Sequence, residues 1–227
     1  MTKQEAAIKY ITENYLDYRR LRHDIVSDKL QIRMDLDEFK GGEYWREMTK
    51  HDINSIVCHC AQEYDANITS REVMTALQSD LIPDVHPLRE YVLSCGEWTE
   101  EQPDWIDWVA QQVTAKPFGD EAKGDKERGE RLWRGCFKKW FVAMVASWMK
   151  DEVVNHQVLV LIGKQGIFKT TWLEHLIPPH LRAYACKLAN SNDLNKDERL
   201  RIAEFGLISL DEIDSMNNRE LNQLKSV

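Results

Sequence analysis

One glycine-containing loop constrains the fold of this chain more than any other feature. An apolar run, Val158 to Ile162, leads into Gly163-Lys164-Gln165-Gly166-Ile167-Phe168-Lys169-Thr170-Thr171, and the mostly apolar stretch Trp172 to Ile177 follows. The glycines therefore fall where a buried strand should turn into a helix. Backbone N–H groups of such a loop can cradle phosphate oxygens. The pattern predicts a phosphate loop at 163–171 in a parallel α/β sheet.

Two side chains in this loop have the chemistry that nucleoside triphosphate binding requires. We expect Lys169 to reach the β- and γ-phosphates as a point charge and the Thr170 hydroxyl to bind Mg²⁺. The predicted ATP-binding positions are Gly163, Lys164, Gln165, Gly166, Ile167, Phe168, Lys169, Thr170 and Thr171.

A second apolar stretch, Leu207 to Leu210, runs directly into Asp211 and Glu212. A strand that ends in two carboxylates can place Asp211 behind the Mg²⁺ shell and Glu212 beside the attacking water as a general base. The stretch between Lys169 and Asp211 has room for a helix, a middle strand and a second helix, as a parallel sheet requires. The alternative interpretation of the acidic residues is a helix N-cap.

The loop departs from the usual pattern at Phe168, where phosphate loops normally carry Gly immediately before the Lys. Glycine lacks a Cβ, so the backbone can close around phosphate at that position. Gly163 and Gly166 remain, and the loop can still form. A nucleotide-shaped but weak or inactive site is the alternative.

Composition limits the class of protein. With 227 residues, 43% hydrophobic and 30% charged, the chain is typical of a soluble globular protein. No apolar stretch reaches the roughly 20 residues that span a bilayer, and the N-terminus lacks a hydrophobic secretory core, so we expect a cytoplasmic protein without membrane contact. The net charge of −8 opposes a surface that coats nucleic acid, so any DNA contact should be local or supplied by parts of the protein beyond this sequence.

Several short patterns resemble metal sites, but each has a structural alternative. Cys58-His59-Cys60 is expected on a helix, where positions i and i+2 do not face each other. The five scattered cysteines favour reduced thiols. Asp35-x-Asp37 and Asp104-x-x-Asp107 could hold a metal, although Asp is also common at turns and helix starts.

The chain divides by pattern into a small α+β module at 1–82, a helical connector at 83–150 and a nucleotide-binding part at 151–227. In the module we predict a helix over 3–21, strands at 24–27 and 30–34, and helices beginning at Thr49 and Ser70. Further helices are predicted at 88–93, 104–113 and 192–205, and a middle strand at 183–188. The fold class is α/β with an α-rich N-terminal half and a partial parallel sheet at the C-terminus.

The connector contains a charged, glycine-containing linker at 117–129 and a long helix over 131–150. Its apolar residues have helical spacing and favour a buried face, while the interleaved cations would form the solvated face. Single-strand nucleic acid binding is the alternative, because aromatic and basic side chains alternate there. The apolar residues are Leu132, Trp133, Phe137, Trp140, Phe141, Met144, Val145 and Trp148, and the cations are Arg131, Arg134, Lys138 and Lys139.

These residues resemble the virulence-associated protein E family. The similarity rests on Gln157 to Gly166, Lys169-Thr170-Thr171, Lys196-Asp197-Glu198 and Leu210-Asp211-Glu212, with further likeness at Asp52 to Ser55, His86 to Tyr91 and Phe141 to Ala146. The resemblance implies a superfamily-three-type helicase of phages and other mobile elements. It implies an ATP-driven ring that acts on DNA, in which each site is completed by an arginine from the neighbouring subunit.

In such folds a further strand follows the acidic residues and inserts between the acidic strand and the phosphate-loop strand. Only 13 residues follow Asp214 (227 − 214 = 13), so by this analogy the chain is expected to be truncated and to lack both that strand and the arginine finger. We therefore expect ATP binding with slow hydrolysis or none. The competing function is a non-catalytic module that docks DNA or a protein and keeps a vestigial nucleotide site.

Overall fold

A computed structural model of the chain describes residues 1–34, 44–64, 67–119, 124–153, 155–188 and 204–210. The chain divides into two compact units, Met1–Pro87 with Leu194–Phe205, and Leu88–Asp193 with Gly206–Val227. The sequence-based division at 82 and 150 stays a prediction. Among the described residues, no helix combines the length and the apolar character needed to cross a bilayer.

The first unit is built on a four-stranded sheet of β1 (Leu21–Asp24), β2 (Lys29–Met34), β3 (Tyr44–Glu47) and β4 (Asp84–Val85), in the strand order β3-β2-β1-β4. Strands β1, β2 and β3 pair antiparallel, whereas β4 joins β1 in parallel through His23 opposite Asp84. The elements are α1 (Lys3–Ile11), a π-helical turn (Thr12–Leu16), β1 (Leu21–Asp24), β2 (Lys29–Met34), β3 (Tyr44–Glu47), α2 (Lys50–Tyr64), α3 (Ser70–Leu77) and β4 (Asp84–Val85).

The apolar faces of α1, α2 and α3 form the core of this unit. Burying such side chains is worth about 1.5–3 kcal/mol each, so this shared core fixes the helices against one another. Its fully buried members include Ala7, Ile11, Leu21, Ile56, Val73 and Leu77.

The predicted starts of α2 and α3 are confirmed by their capping interactions. The Asp52 carboxylate accepts from the Thr49 backbone N–H at 2.7 Å, and the Glu72 carboxylate accepts from that of Thr69 at 2.9 Å. These reciprocal contacts satisfy N–H groups that have no partner within the helix.

Two predictions for the first unit are wrong in their boundaries. The first helix ends near Leu16 rather than Leu21, because Arg19 adopts a left-handed backbone with φ 51° and the chain then enters β1. The strand expected at 24–27 is a turn. Asp24 is fully buried there, and its carboxylate accepts from Val26 N–H at 2.9 Å and Ser27 Oγ at 2.5 Å, which holds the turn between β1 and β2.

The second unit is mainly helical and carries a two-stranded parallel sheet of β5 (Ala185–Leu188) and β6 (Leu207–Leu210), in which Ala185 lies opposite Leu207. The parallel pair confirms the mixed α/β class. Its elements are α4 (Pro87–Ser94), α5 (Trp105–Ala110), α6 (Lys126–Met149), α7 (Lys169–Glu174), a 3₁₀ helix (Pro179–Tyr184), β5 (Ala185–Leu188) and β6 (Leu207–Leu210).

Helix α6 supplies the core of the second unit, as its spacing predicts. Phe137, Trp140, Met144 and Trp148 are buried, which confirms the core interpretation of these aromatics. Leu132 is 44% exposed, so its assignment to the core is wrong. The four cations Arg131, Arg134, Lys138 and Lys139 are exposed, as expected for a solvated face.

Helix α6 begins five residues earlier than predicted, so part of the expected linker is ordered. The Asp125 side chain caps it by accepting from Arg128 N–H at 2.9 Å. A Cβ at Gly129 would clash with the carbonyl oxygen of Lys116, so the glycine allows the preceding strand-like segment to lie against the helix. Phe118 and Asp125 pair there through backbone hydrogen bonds of 3.0 and 3.1 Å.

The end of α6 is joined to the start of β6. Trp148 Nε1 donates to the Gly206 carbonyl at 2.9 Å, and Gly206 N–H donates to the Tyr184 carbonyl at 2.8 Å. A Cβ at Gly206 would lie 2.5 Å from Leu88 Cδ1 and 3.0 Å from Trp148 Nε1, so a larger residue would require these side chains to shift. The contact anchors the start of β6.

Candidate functional site

The apolar segment before the loop does not form the predicted buried strand. Residues 158–162 have no strand assignment, and Val158, Val160 and Ile162 are 77%, 57% and 89% exposed. A β-strand needs a neighbour to complete its backbone hydrogen bonds, and no described strand pairs with this segment. The loop is therefore reached through a stretch without regular secondary structure, in which Val158, Val160 and Ile162 are exposed.

The loop itself makes two left-handed backbone turns before α7. Gly166 has φ 82°, and Phe168, the residue immediately before the helix, has φ 59° and ψ 29°. Left-handed backbone costs a residue with a Cβ roughly 1–2 kcal/mol, which glycine avoids. The phenyl ring of Phe168 is 76% exposed. The unfavourable feature of Phe168 at this position is therefore its left-handed backbone rather than the placement of its ring.

Lys169, the first residue of α7, folds its side chain back over the loop. Its ammonium nitrogen donates to the carbonyl oxygens of Gly163 and Lys164, at 2.9 Å each. These carbonyls belong to the first two positions of the loop, so the cation links the beginning of the loop to its end. The positive charge thus lies inside the turn whose N–H groups the sequence assigns to phosphate.

The glycine at the start of the loop is held close to an apolar side chain. A Cβ built on Gly163 would lie 2.8 Å from Cδ1 of Ile167. Ile167 is 56% exposed and can move, so Gly163 is constrained by the side chain rather than by backbone. Thr170 and Thr171 follow in the first turn of α7, and the Thr171 carbonyl accepts from His175 N–H at 3.2 Å.

Aromatic side chains outside the loop position helix α7, and their contact cannot be inferred from the sequence alone. The Trp172 ring lies 5.4 Å from that of Phe137 and 6.2 Å from that of Trp133, measured between centroids. Trp133 Nε1 donates to the Ala110 carbonyl at 2.8 Å, which ties this cluster to the end of α5. The aromatic spacing on α6 was visible in the sequence, whereas its contact with Trp172 depends on the tertiary fold.

The predicted metal and base residues Asp211 and Glu212 lie outside the described residues, as does Asp35-x-Asp37. Strand β6 ends at Leu210, directly before them in the sequence. The site residues that the structure describes are therefore the loop positions 163–171.

The other metal-like patterns have structural roles. Asp104 caps α5 by accepting from Asp107 N–H at 3.0 Å, which confirms the helix-start interpretation. Lys138 pairs with Asp104 and Arg134 pairs with Asp107, and these hydrogen bonds lower the pKa of both carboxyls.

Cys58 and Cys60 both lie on α2, as predicted, but in different environments. Cys58 is exposed, whereas Cys60 is buried and its thiol lies 3.6 Å from the Ala6 carbonyl oxygen. Within the described ranges, no three His, Cys, Asp or Glu side chains come together as a metal site would require.

Comparison with known proteins identifies the family. No curated protein matches the chain. Residues 108–227, more than half of the chain and including the whole loop, match the family described as virulence-associated protein E-like domain. The chain is therefore a member of the virulence-associated protein E-like family.

Proposed function

We propose that this chain binds ATP through the loop at 163–171. The observation that carries the proposal is the position of the Lys169 ammonium, which lies against the Gly163 and Lys164 carbonyls within a loop that precedes a helix. A cation held there can exchange carbonyl oxygens for the more strongly charged oxygens of a β- or γ-phosphate, since charge-assisted hydrogen bonds are stronger than neutral ones.

The proposed Mg²⁺ site combines a residue of α7 with residues that follow β6 in the sequence. Thr170, in the first turn of α7, would offer its hydroxyl to Mg²⁺, and Asp211 would hold the metal from the end of β6. Glu212 would act as the general base that orients the attacking water. Mg²⁺ would neutralise charge on the phosphates and keep the triphosphate in one geometry.

For the whole protein we propose an ATPase of the helicase type that acts on DNA in the replication of phages or other mobile elements, assembled as a ring. The support is family membership together with the glycine and lysine pattern of residues 163–171. An arginine from a neighbouring subunit is worth 10³ to 10⁵ in rate in related phosphoryl-transfer sites, so we expect the isolated chain to hydrolyse ATP slowly.

Thermal unfolding with and without Mg²⁺–ATP tests the proposal. A ligand at 100 times its Kd stabilises the folded state by about 2.7 kcal/mol, which should raise the Tm by a few degrees. Lys169→Ala should abolish the shift. Lys139→Ala is the control, because it removes the same charge from an exposed position of α6 outside the loop.

One observation favours a second function. Phe168 occupies a left-handed position that glycine would hold without strain, as expected if the loop no longer closes around phosphate. The chain would then be an interaction module for DNA or protein with a vestigial nucleotide site. A well-folded wild-type chain whose Tm does not respond to Mg²⁺–ATP would support this function and rule out the first.

A further inference from the structure

A cavity of about 230 Å³ in the second unit is lined by the parallel sheet and by the end of α7. Sites for drug-sized ligands measure roughly 300–1,000 Å³, so this cavity suits a smaller molecule. Glu174, the last residue of α7, belongs to its wall, whereas Lys169 is the first residue of that helix. The cavity therefore lies at the other end of α7 from the loop at 163–171.

One face of the sheet forms part of the cavity wall. In the parallel pair of β5 and β6, Ala185 lies opposite Leu207 and Lys187 lies opposite Ser209. Side chains of a strand alternate between the two faces, so these four residues share one face. All four line the cavity, whereas Ile208, between two of them on β6, does not. The Ser209 side chain therefore faces the cavity.

Ser209 brings a buried hydroxyl to this face. The residue is 8% exposed, and within the described ranges its side chain makes no hydrogen bond. Among the described residues, no polar side-chain atom that is sealed from solvent lacks a partner, so the Ser209 hydroxyl must be reachable from the cavity. Buried polar groups are normally hydrogen-bonded, so an unpartnered one at a cavity wall marks a place where a ligand atom can bind.

The charged residues of the wall favour an anion. Arg182 and Lys187 line the cavity with exposed side chains, and among the described lining residues Glu174 is the only acidic one. Within the described part of the chain, Arg182 has no ion-pair partner. Because the two cations outnumber the carboxylate, an anion of charge about −2 gains more here than a singly charged one.

We propose that this cavity binds a phosphate group through Arg182, Lys187 and Ser209. Arginine offers paired N–H donors that match two phosphate oxygens, lysine offers a compact positive charge, and the serine hydroxyl donates one hydrogen bond. The oxygens of one phosphate can accept from all three side chains. The inference does not depend on nucleotide binding at the loop.

Calorimetric titration with inorganic phosphate and with glycerol 3-phosphate, at constant ionic strength, tests the proposal. The net charge of −8 repels anions in general, so saturable binding of either probe indicates a local site. Arg182→Gln and Ser209→Ala should each raise the Kd about fivefold or more, whereas Glu174→Gln should lower it about twofold. Failure of both probes to bind would overturn the proposal, as would an unchanged Kd in Arg182→Gln and Ser209→Ala.

Two further variants separate this cavity from other cationic positions. Lys169→Ala, at the loop, should keep the phosphate binding that Arg182→Gln loses. The reverse pattern would place the phosphate at the loop and would overturn the cavity proposal without affecting that for ATP. Lys139→Ala removes an exposed cation of α6 and should change the Kd less than about twofold.

Ser209→Ala also tests whether the hydroxyl has a structural role. Since the hydroxyl has no partner among the described residues, its removal should leave the Tm of the ligand-free chain within about a degree of the wild type. A fall of several degrees would show that the hydroxyl is bonded within the protein and would overturn its assignment to the ligand.

The two probes distinguish the possible sources of the phosphate group. Tighter binding of glycerol 3-phosphate would indicate a small phosphorylated molecule whose carbon atoms contact the apolar wall at Ala185 and Leu207. Tighter binding of inorganic phosphate would indicate the free ion. Either result supports the proposed chemistry, provided that the Arg182→Gln and Ser209→Ala variants weaken it.

Discussion

The ring centroid of Trp172 lies 5.4 Å from the ring centroid of Phe137, a completely buried residue of α6. Trp172 follows Lys169 by three residues. This contact connects the helix that carries the loop lysine to the core of the second unit. The orientation of Lys169 therefore depends on an aromatic contact outside the loop.

Replacing Phe137 with Ala should lower the free energy of unfolding by about 3–5 kcal/mol, the usual cost of a buried phenyl-sized cavity. Urea denaturation followed by tryptophan fluorescence measures this change. Leu132→Ala on the same helix is the control, since its 44% exposed side chain should cost far less. Equal losses for the two variants would contradict the packing described for α6.

Phe168→Gly should stabilise the folded chain, because glycine adopts the left-handed backbone at this position without strain. We expect the free energy of unfolding to rise by about 1 kcal/mol, measured by urea denaturation without nucleotide. Phe168→Ala is the control, because it removes the ring and retains the backbone penalty. If alanine stabilised the chain as much as glycine does, the penalty would lie in the ring.

Gly129 and Gly135 both lie on α6 and should respond oppositely to alanine. A Cβ at Gly129 meets the backbone carbonyl of Lys116, whereas nothing lies within 4 Å of one at Gly135. We expect Gly135→Ala to stabilise the chain by roughly 0.5–1 kcal/mol through helix propensity. Gly129→Ala should destabilise it, since backbone must shift. Thermal unfolding of both variants provides the comparison, and a gain at Gly129 would show that α6 starts elsewhere.

His23 links β1 to two acidic residues, and the link should make stability depend on pH. Its Nδ1 lies 2.7 Å from an Asp84 carboxylate oxygen and its Nε2 lies 3.0 Å from one of Asp28. The hydrogen bond to Asp84, supported by Asp28, raises the pKa of His23 above its usual value. The stabilisation is therefore complete below about pH 6.5 and is lost as pH rises through the folded-state pKa.

The expected loss is about 1 kcal/mol or less, because both carboxylates are exposed to solvent. Urea denaturation of the wild type at pH 5.5 and 8.5 measures it, and His23→Gln should remove this part of the difference. An unchanged pH dependence in the variant would show that other groups cause it.

Local chemistry explains which elements could be predicted from the sequence. The starts of α2 and α3 follow from Thr49 with Asp52 and Thr69 with Glu72, because capping acts over three residues. The buried face of α6 follows from its 3.6-residue period. Residues 25–27 have a strand-like sequence because Ile25 and Val26 are apolar, but the buried Asp24 carboxylate holds them in a turn.

Predictions that depend on distant partners were less successful. The loop at 163–171 is recognisable from its glycines and lysine, but the strand expected before it requires a neighbour that sequence periodicity does not supply. Strands β3 and β4 were missed because each is short, four and two residues, and is defined by pairing. The Trp172–Phe137 contact likewise joins residues 35 positions apart (172 − 137 = 35).

The two hydrogen bonds from Lys169 to the start of its own loop have a consequence for ligand discrimination. They give the loop an internal counter-cation, so the turn keeps its shape before any anion arrives. An incoming ligand must replace those carbonyls as the hydrogen-bond acceptor of the Lys169 ammonium. It does not have to order a flexible segment. Only a ligand with enough negative charge to draw the ammonium away gains from that exchange, which favours polyphosphates over singly charged anions of similar size.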